Sequence, residues 1–324
     1  MTARRAFAVS GVVAILATVV ALPLYASPFP VALALTCLMY VALAVSWSIF
    51  SGPTRTLSLA TSAFFGLGAY STALGLGTLP WPLLVLTGGL VAAAVAWLIG
   101  LATLRLRGAY FAVLTFGLGE VVRHTVTYVE KTLSGTVGRV MTDAPEARAV
   151  YWTVAVIAAA AAVAFRLVQR SDLGVALRGV GEDEQRAATL GVDPRRVKLI
   201  AFCISAGFAG AVGGAMAPRW TYIDPSSVFN PFILFQTVLI AMVGGPGKLH
   251  GPVIGALLFS LLAETLRLNL PYVYMIALGL LLILSVLFLP GGLAGVAWLN
   301  RWFDWFGRGG NPRPKVVARD ASRV

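Results

Sequence analysis

The chain has 324 residues, of which 58% are hydrophobic and only 12% charged, with a formal net charge of +12 and a mean hydropathy of +0.85. Soluble domains carry about 25% charged residues, so a water-soluble enzyme of this length is excluded. The positive charge does not call for nucleic acid, because basic residues beside membrane spans are expected from the positive-inside rule.

Apolar blocks of about 20 residues cross a ~30 Å hydrocarbon core at 1.5 Å per residue. Such blocks are predicted over 6–26, 30–50, 57–78, 82–103, 109–129, 149–168, 198–217, 231–246, 251–267 and 272–290. The fold class is therefore all-α: a polytopic membrane helical bundle of about ten transmembrane or partly spanning helices. The first block, behind Arg4 and Arg5 and ending near Ala26-Ser27, has the outline of a signal peptide. It is long enough to span and is followed by many more spans, so it reads as an uncleaved first helix. The block at 57–78 is broken by glycine, and 231–246 and 251–267 are short enough to be half-helices or re-entrant pieces.

Gly66 and Gly68 in the third block, and Gly207, Gly210, Gly213 and Gly214 in the seventh, sit where glycine permits close helix crossings. The fifth block carries Gly108, Glu120 and Arg123, and the ninth Gly251, Glu264 and Arg267. Each is E-x-x-R, and spacing i,i+3 puts acid and base on one helix face. A lone charge in mid-membrane costs about 2.5–3.5 kcal/mol on insertion scales. Two readings follow: a polar lining of a solute path, together with Tyr110, Thr115 and His124, or self-neutralised pairs that pin packing, with Arg267 snorkelling to the outer surface. The recurrence hints at an internal repeat, as many transporters have.

The segment 130–148, with Ser134, Gly135 and Gly138, predicts an outer turn or short helix, while 169–197 is the one long polar stretch between spans. There Gly181 precedes Glu182, Asp183 and Glu184, acids that suit a helix start. The helix continues through Ala187 and Ala188 to Gly191, placed for a left-handed cap. Asp193 then offers an N-cap and Pro194 a first-turn residue for the next span. A short helix displaying Ala187 and Ala188, pinned at both ends, suits a cleft on a partner protein; a solvated loop helix is the plainer alternative. After residue 300, Gly309-Gly310, Pro312 and Pro314 among basic residues predict a disordered strip near the inner leaflet.

Orientation follows from counting. With the N-terminus inside, 19 of the 25 Lys and Arg fall on the inner side, leaving Arg123, Lys131, Arg139, Arg148, Arg219 and Arg267 outside or within spans. This predicts both termini in the cytoplasm. No cofactor or metal is expected: the two cysteines, Cys37 and Cys203, lie in apolar blocks and no His/Cys spacing suits a metal. Gly244-Gly245-Pro246-Gly247-Lys248 lacks the first glycine of a phosphate loop, and Leu249 stands where Ser or Thr is needed. Any ATPase is thus another chain. No cluster of nucleophile, base or metal ligands at one membrane face supports an embedded enzyme. An ion-coupled carrier, from a different class again, would use Glu120 as its proton or sodium site.

Several stretches resemble a known family. Arg107-Gly-Ala-Tyr-Phe-Ala-Val-Leu-Thr115 continuing to Gly119-Glu120, Ser171-Asp-Leu-Gly-Val-Ala-Leu-Arg178 continuing to Gly191, and Lys198-Leu-Ile-Ala-Phe202 with Ser205-Ala206 are similar to LivM-type permease subunits of branched-chain amino-acid ABC importers. Gly244-Gly245 through Gly251-Pro252 and Gly255-Ala256, and Pro290-Gly-Gly-Leu293, fit too, so the likeness covers roughly residues 50–295. It implies a transmembrane permease domain over 1–299, with the tail 300–324 apart, in a bacterial inner membrane. It also implies a second related permease, two cytoplasmic ABC ATPases and an extracytoplasmic solute-binding protein. The ATPase-coupling residues would be Arg178, Glu182, Asp183, Glu184, Ala187, Ala188 and Gly191. The candidate path residues are Tyr110, Thr115, Glu120, Arg123, His124 and Glu264. Two departures bear on substrate: Ser58-Leu59-Ala60-Thr61 where the family has S-L-G-H or G-Q, and Ser134-Gly135-Thr136-Val137-Gly138 where it has T-G-G. Urea and aromatic-acid permeases of the same superfamily are alternatives.

Overall fold

The computed structural model describes residues 21–270 except 26, 107, 142 and 143, with isolated positions between 273 and 284. The expected spans at 6–26 and 272–290 and the tail at 300–324 thus lie wholly or almost wholly outside the described residues. Each of the other expected spans is a helix. In chain order they are α1 (Pro28–Thr54), α2 (Thr61–Gly75), α3 (Trp81–Thr103) and α4 (Ala109–Ser134), then a two-residue strand β1 (Arg139–Val140). After it come α5 (Ala147–Arg170), two short helices α6 (Asp172–Glu182) and α7 (Glu184–Thr189), and α8 (Pro194–Met216). The strand β2 (Tyr222–Ile223), a short α9 (Pro225–Val228), α10 (Pro231–Gly244) and α11 (His250–Asn269) follow.

Among the described residues six segments are long and apolar enough to cross a membrane, including the pair 225–244 and 250–269, which therefore have the length of full crossings. The short element is instead α2, whose 15 residues reach only about 22 Å. The non-helical stretch before it extends the element, and its backbone is held by side chains of neighbouring helices. The Thr115 hydroxyl accepts from the Leu59 N–H at 3.0 Å, and the Trp47 indole N–H donates to the Ser58 carbonyl at 2.9 Å. Irregular backbone at membrane depth persists only where protein satisfies it in this way.

The loops alternate between two ends of the bundle. At one end Gly52 abuts Pro246, Gln169 bonds the Gly247 carbonyl and Gly181 abuts Pro53. At the other, β1 pairs antiparallel with β2, Arg139 opposite Ile223. Thus 130–148, expected as a turn or short helix, instead contributes a strand, because Gly138 at φ +91° lets the chain pass the Tyr222 ring.

Helix α8 occupies the centre, packed by α1, α2, α3 and α5. Its contacts with α2 and α3 are made backbone to backbone, through glycines of α2 and α8 that the sequence marks for close crossing and through Gly88 and Gly89 of α3, which it does not. A Cβ on Gly68 would lie 1.8 Å from the Gly210 carbonyl oxygen, and one on Gly213 would lie 1.9 Å from that of Phe65. A Cβ on Gly210 would meet the Ala92 methyl at 2.4 Å. Around this node Phe50, Phe64, Phe111 and Phe202 pack as tilted and edge-on aromatics. A second backbone-to-backbone contact joins α10 to α11, where a Cβ on Gly244 would lie 2.1 Å from the Gly251 carbonyl. The stretch that superficially resembled a phosphate loop is the tip of this helical hairpin.

Since rigid backbone faces each of these glycines, Gly68→Leu should destabilise the chain by about 3 kcal/mol or more, the upper range for overpacking. Gly117→Ala, where an added Cβ meets nothing within 4 Å, should be neutral or gain up to about 1 kcal/mol of helix propensity. Thermal unfolding of the two variants in detergent measures the contrast.

Candidate functional site

The polar stretch between α5 and α8 forms an elbow at the end of the bundle that carries Pro53, Pro246 and Gly247. Helix α6 starts immediately after α5, in a turn tight enough that a Cβ on Gly174 would lie 2.1 Å from the Val168 carbonyl. It buries Gly174, Leu177 and Val180 along one face. At its end Gly181 comes within 2.1 Å, measured from an added Cβ, of the Pro53 carbonyl, so the elbow rests directly on the last turn of α1. Arg55, at φ 53° just past that turn, reaches Glu182. Both side chains are 67% exposed, and a solvated pair of this kind contributes about 0–1 kcal/mol.

Sequence reading expected one helix opening on three acids. The structure divides it at Asp183, whose extended backbone (φ −155°, ψ 109°) ends α6 and whose carboxylate caps α7. Asp183 Oδ1 accepts from the Gln185 and Arg186 N–H groups at 2.9 and 3.1 Å, which satisfies two donors that a helix start leaves open. The three acids therefore have three tasks. Glu182 meets α1, Asp183 caps, and Glu184 reaches Lys198 on α8 at 3.1 Å, with side chains only 20% and 6% exposed respectively.

A second correction concerns the alanines. Ala187 is buried, at 4% exposure, and only Ala188 faces outward with Gln185, Arg186 and Thr189. The six-residue helix has room for one inward stripe, and the Glu184–Lys198 contact turns Ala187 into it. Beyond the helix Leu190 stands 84% exposed. Gly191 takes φ +86°, as a left-handed cap requires, and Asp193 caps α8 through the Arg195 and Arg196 N–H groups. Arg178 lies on the same exposed side and donates to the Gln169 carbonyl at 3.2 Å.

The candidate path residues fall in several environments. Glu120 and Arg123 form the expected i,i+3 pair at 2.5 Å, each side chain about 30% exposed, with an Arg123 nitrogen 3.3 Å from His124 Nε2. Tyr110 is 78% exposed. Helix α4 thus carries a polar belt on a side left open by the rest of the chain. Thr115 points the other way, buried against the stretch before α2. The ninth-span counterpart does not repeat the pairing: among the described residues Glu264 and Arg267 form no ion pair, Glu264 being half-buried and Arg267 exposed.

At the opposite end a polar cluster appears that the sequence reading did not single out. Glu130, at 5% exposure, accepts from the Tyr70 hydroxyl at 2.8 Å, the Gly138 N–H at 3.1 Å and Arg139 Nε at 3.3 Å. It lines, with Tyr70 and Arg139, a cavity of about 280 Å³ between α2, α3 and α4, walled by Leu67, Leu74, Val91, Val126 and Val129. Nearby, burial raises the Asp224 carboxyl, but hydrogen bonds from the Ser226 hydroxyl and the Ser227 N–H outweigh it and hold the group below its ordinary value. A run of alternating sign gives no sequence signal that one acid, Glu130, collects three donors. The pairing of Lys198 with Glu184 is equally hidden, since the sequence places Lys198 only at the start of a span and of a family-like stretch.

Comparison with known proteins gives a consistent result. A family model described as the permease component of branched-chain amino acid transport systems matches residues 29–286. The high-affinity branched-chain amino acid transport system permease protein LivM of Escherichia coli K12 is 30% identical over 317 residues, covering 87% of this chain and 73% of that one. LivM of Salmonella typhimurium is also 30% identical, covering 86% and 73%. The permease protein LivH of Escherichia coli K12 is 33% identical over 155 residues, covering 46% of this chain and 47% of LivH. No solved structure matches.

The two ion pairs of the elbow should respond differently to removal of the acid. Glu184→Gln leaves the buried Lys198 ammonium without its charge partner, a loss of about 3 kcal/mol. Glu182→Gln removes only an exposed contact and should cost under about 1 kcal/mol. Melting temperatures of the two variants, compared with the parent chain, check the ranking.

Proposed function

On the premise that this chain belongs to the family of permease components of branched-chain amino acid transport systems, we propose that it forms one half of the membrane path of an ATP-driven importer. In this reading it moves branched-chain amino acids, pairs with a second related permease, and is driven by two ABC ATPases below and fed by a solute-binding protein above. The chain itself catalyses no chemical step; ATP hydrolysis takes place in the partner subunits. The charge count supports cytoplasmic termini, which puts the elbow on the ATPase side and the Glu130 cluster on the binding-protein side.

The observation that carries the reading is the mechanical continuity of the elbow. Its exposed edge, Ala188 with Leu190, is small and apolar enough to enter a cleft. Its inward side is joined to α8 by Glu184–Lys198 and to α1 by Gly181 against Pro53. Since α8 is fastened to α2 and α3 through glycine contacts that leave no slack, a push on α7 moves several helices together. That is the two-state, rigid-body kind of switch on which nucleotide and a docked binding protein can act. The open side of α4 is the surface that suits the second permease and the solute path. Glu120, Arg123 and His124 are costly against lipid and acceptable against protein or water.

The test falls on Ala188 rather than Ala187, since a bulky residue at the buried position would disturb packing whatever the function. Ala188→Trp should leave the helical content and melting temperature of the complex unchanged. ATP-driven leucine uptake into proteoliposomes should fall by roughly tenfold or more, because a 1.4 kcal/mol loss at the contact already costs a factor of ten. Uptake at the parent rate would remove the coupling role from this element.

A further inference from the structure

On the same end of the bundle as the elbow, but on its flank, a cleft of about 220 Å³ opens between the last turn of α3 and the first turn of α8. Three arginines line it, Arg105, Arg195 and Arg196, with one acid, Asp193. Asp193 is committed: it caps α8 and its Oδ2 meets Arg196 Nε at 3.1 Å. Among the described residues no carboxylate pairs with Arg105 or Arg195, both of which are exposed. Two net positive charges therefore face one small cleft.

The cleft floor is apolar, formed by Leu101, Leu104 and Leu199. It is continuous with a side of α3 on which Leu86, Leu90, Leu98 and Leu101 are 49–70% exposed. That side carries no charge over 23 residues, which is what a helix against acyl chains requires. The cleft lies where α3 ends, so guanidinium groups stand at headgroup depth directly below an acyl-lined wall. A soluble anion would use the arginines and leave the wall idle; a phospholipid would use both.

We propose that this cleft binds the phosphate of an anionic phospholipid headgroup, held by Arg105 and Arg195, with its acyl chains along α3. Guanidinium forks match phosphate oxygens in pairs, and basic pockets between helices at the membrane surface suit such headgroups. The site does not depend on the transport reading or on which way the chain is inserted. It does bear on movement: Arg195 and Arg196 occupy the same first turns of α8 as Lys198, so a bound headgroup steadies the helix end that receives the elbow.

The test uses the full-length chain, purified with the subunits that accompany it and placed in phosphatidylcholine nanodiscs with and without phosphatidylglycerol. Lipid retained after delipidation, measured by native mass spectrometry, and the thermal midpoint are read together. Phosphatidylglycerol should be retained over phosphatidylcholine and should raise the midpoint. Arg105→Gln/Arg195→Gln should weaken that preference by roughly tenfold or more, at about tenfold per 1.4 kcal/mol. Arg166→Gln/Arg170→Gln, which removes equal charge from exposed positions at the same end of the bundle but outside the cleft and the elbow, should keep it. If the double variant fails to accumulate, Arg105→Glu at its exposed loop position reads the same loss. Equal retention of the two lipids, or an unchanged preference in the cleft variants, would overturn the proposal. So would inorganic phosphate giving the same midpoint rise in phosphatidylcholine alone, since the site would then be one for a free anion.

Discussion

Close approach of backbones at Gly68, Gly88, Gly210 and Gly213 is the constraint from which the rest of this structure follows. Lipid offers helices no hydrophobic reason to associate, so contact has to come from packing, and small residues bring the main chains within reach. At Gly68 and Gly213 an added Cβ would lie within 2 Å of a facing carbonyl oxygen. The arrangement of α2, α3 and α8 thus leaves no room for a side chain at these positions. The aromatic cluster of Phe50, Phe64, Phe111 and Phe202 fills the space around it.

A rigid centre gives meaning to what is attached at its ends. The elbow is held by one largely buried ion pair to α8, one backbone contact to α1, and an exposed pair that adds little. A buried pair is a poor source of net stability, because desolvation offsets the Coulomb attraction. It does fix geometry, since neither charge can leave the other cheaply, and fixed geometry is what a lever needs. The opposite end is organised by the same physics with another acid. Glu130 gathers donors from α2, from the loop and from β1, and ties three separate parts of the chain around one carboxylate.

Helix α4 is the exception to the close packing. Few of its side chains are buried, Phe111, Ala112, Thr115 and Glu130 among them, and its polar belt stays open. A helix with this composition is incomplete against lipid and complete against another protein. The all-apolar side of α3, by contrast, needs only acyl chains until its last turn, where the arginines begin. The molecule thus presents sides with distinct solvents in mind, and each is identified by where charge is tolerated.

How much of this was legible beforehand depended on the range of the interaction responsible. The sequence alone determined the class, the positions of the eight spans that lie within the described residues to within a few residues, the alternation of loops between two ends, and the caps at Gly191 and Asp193. Each of these follows from local rules: apolar length against bilayer thickness, and donors at helix starts that a neighbouring carboxylate satisfies. It also marked the close-crossing glycines of α2 and α8, though not those of α3, because glycine in mid-span has few other uses. Only the tertiary structure decided which glycines face each other, that Asp183 splits the loop helix, that Ala187 turns inward, and that Glu264 and Arg267 do not repeat the Glu120–Arg123 pair. It alone brought Glu184 to Lys198 and Tyr70 to Glu130, and set Arg105 and Arg195 around one cleft. Those residues are 14, 60 and 90 positions apart, and no periodicity reports a juxtaposition created only when one helix is laid against another.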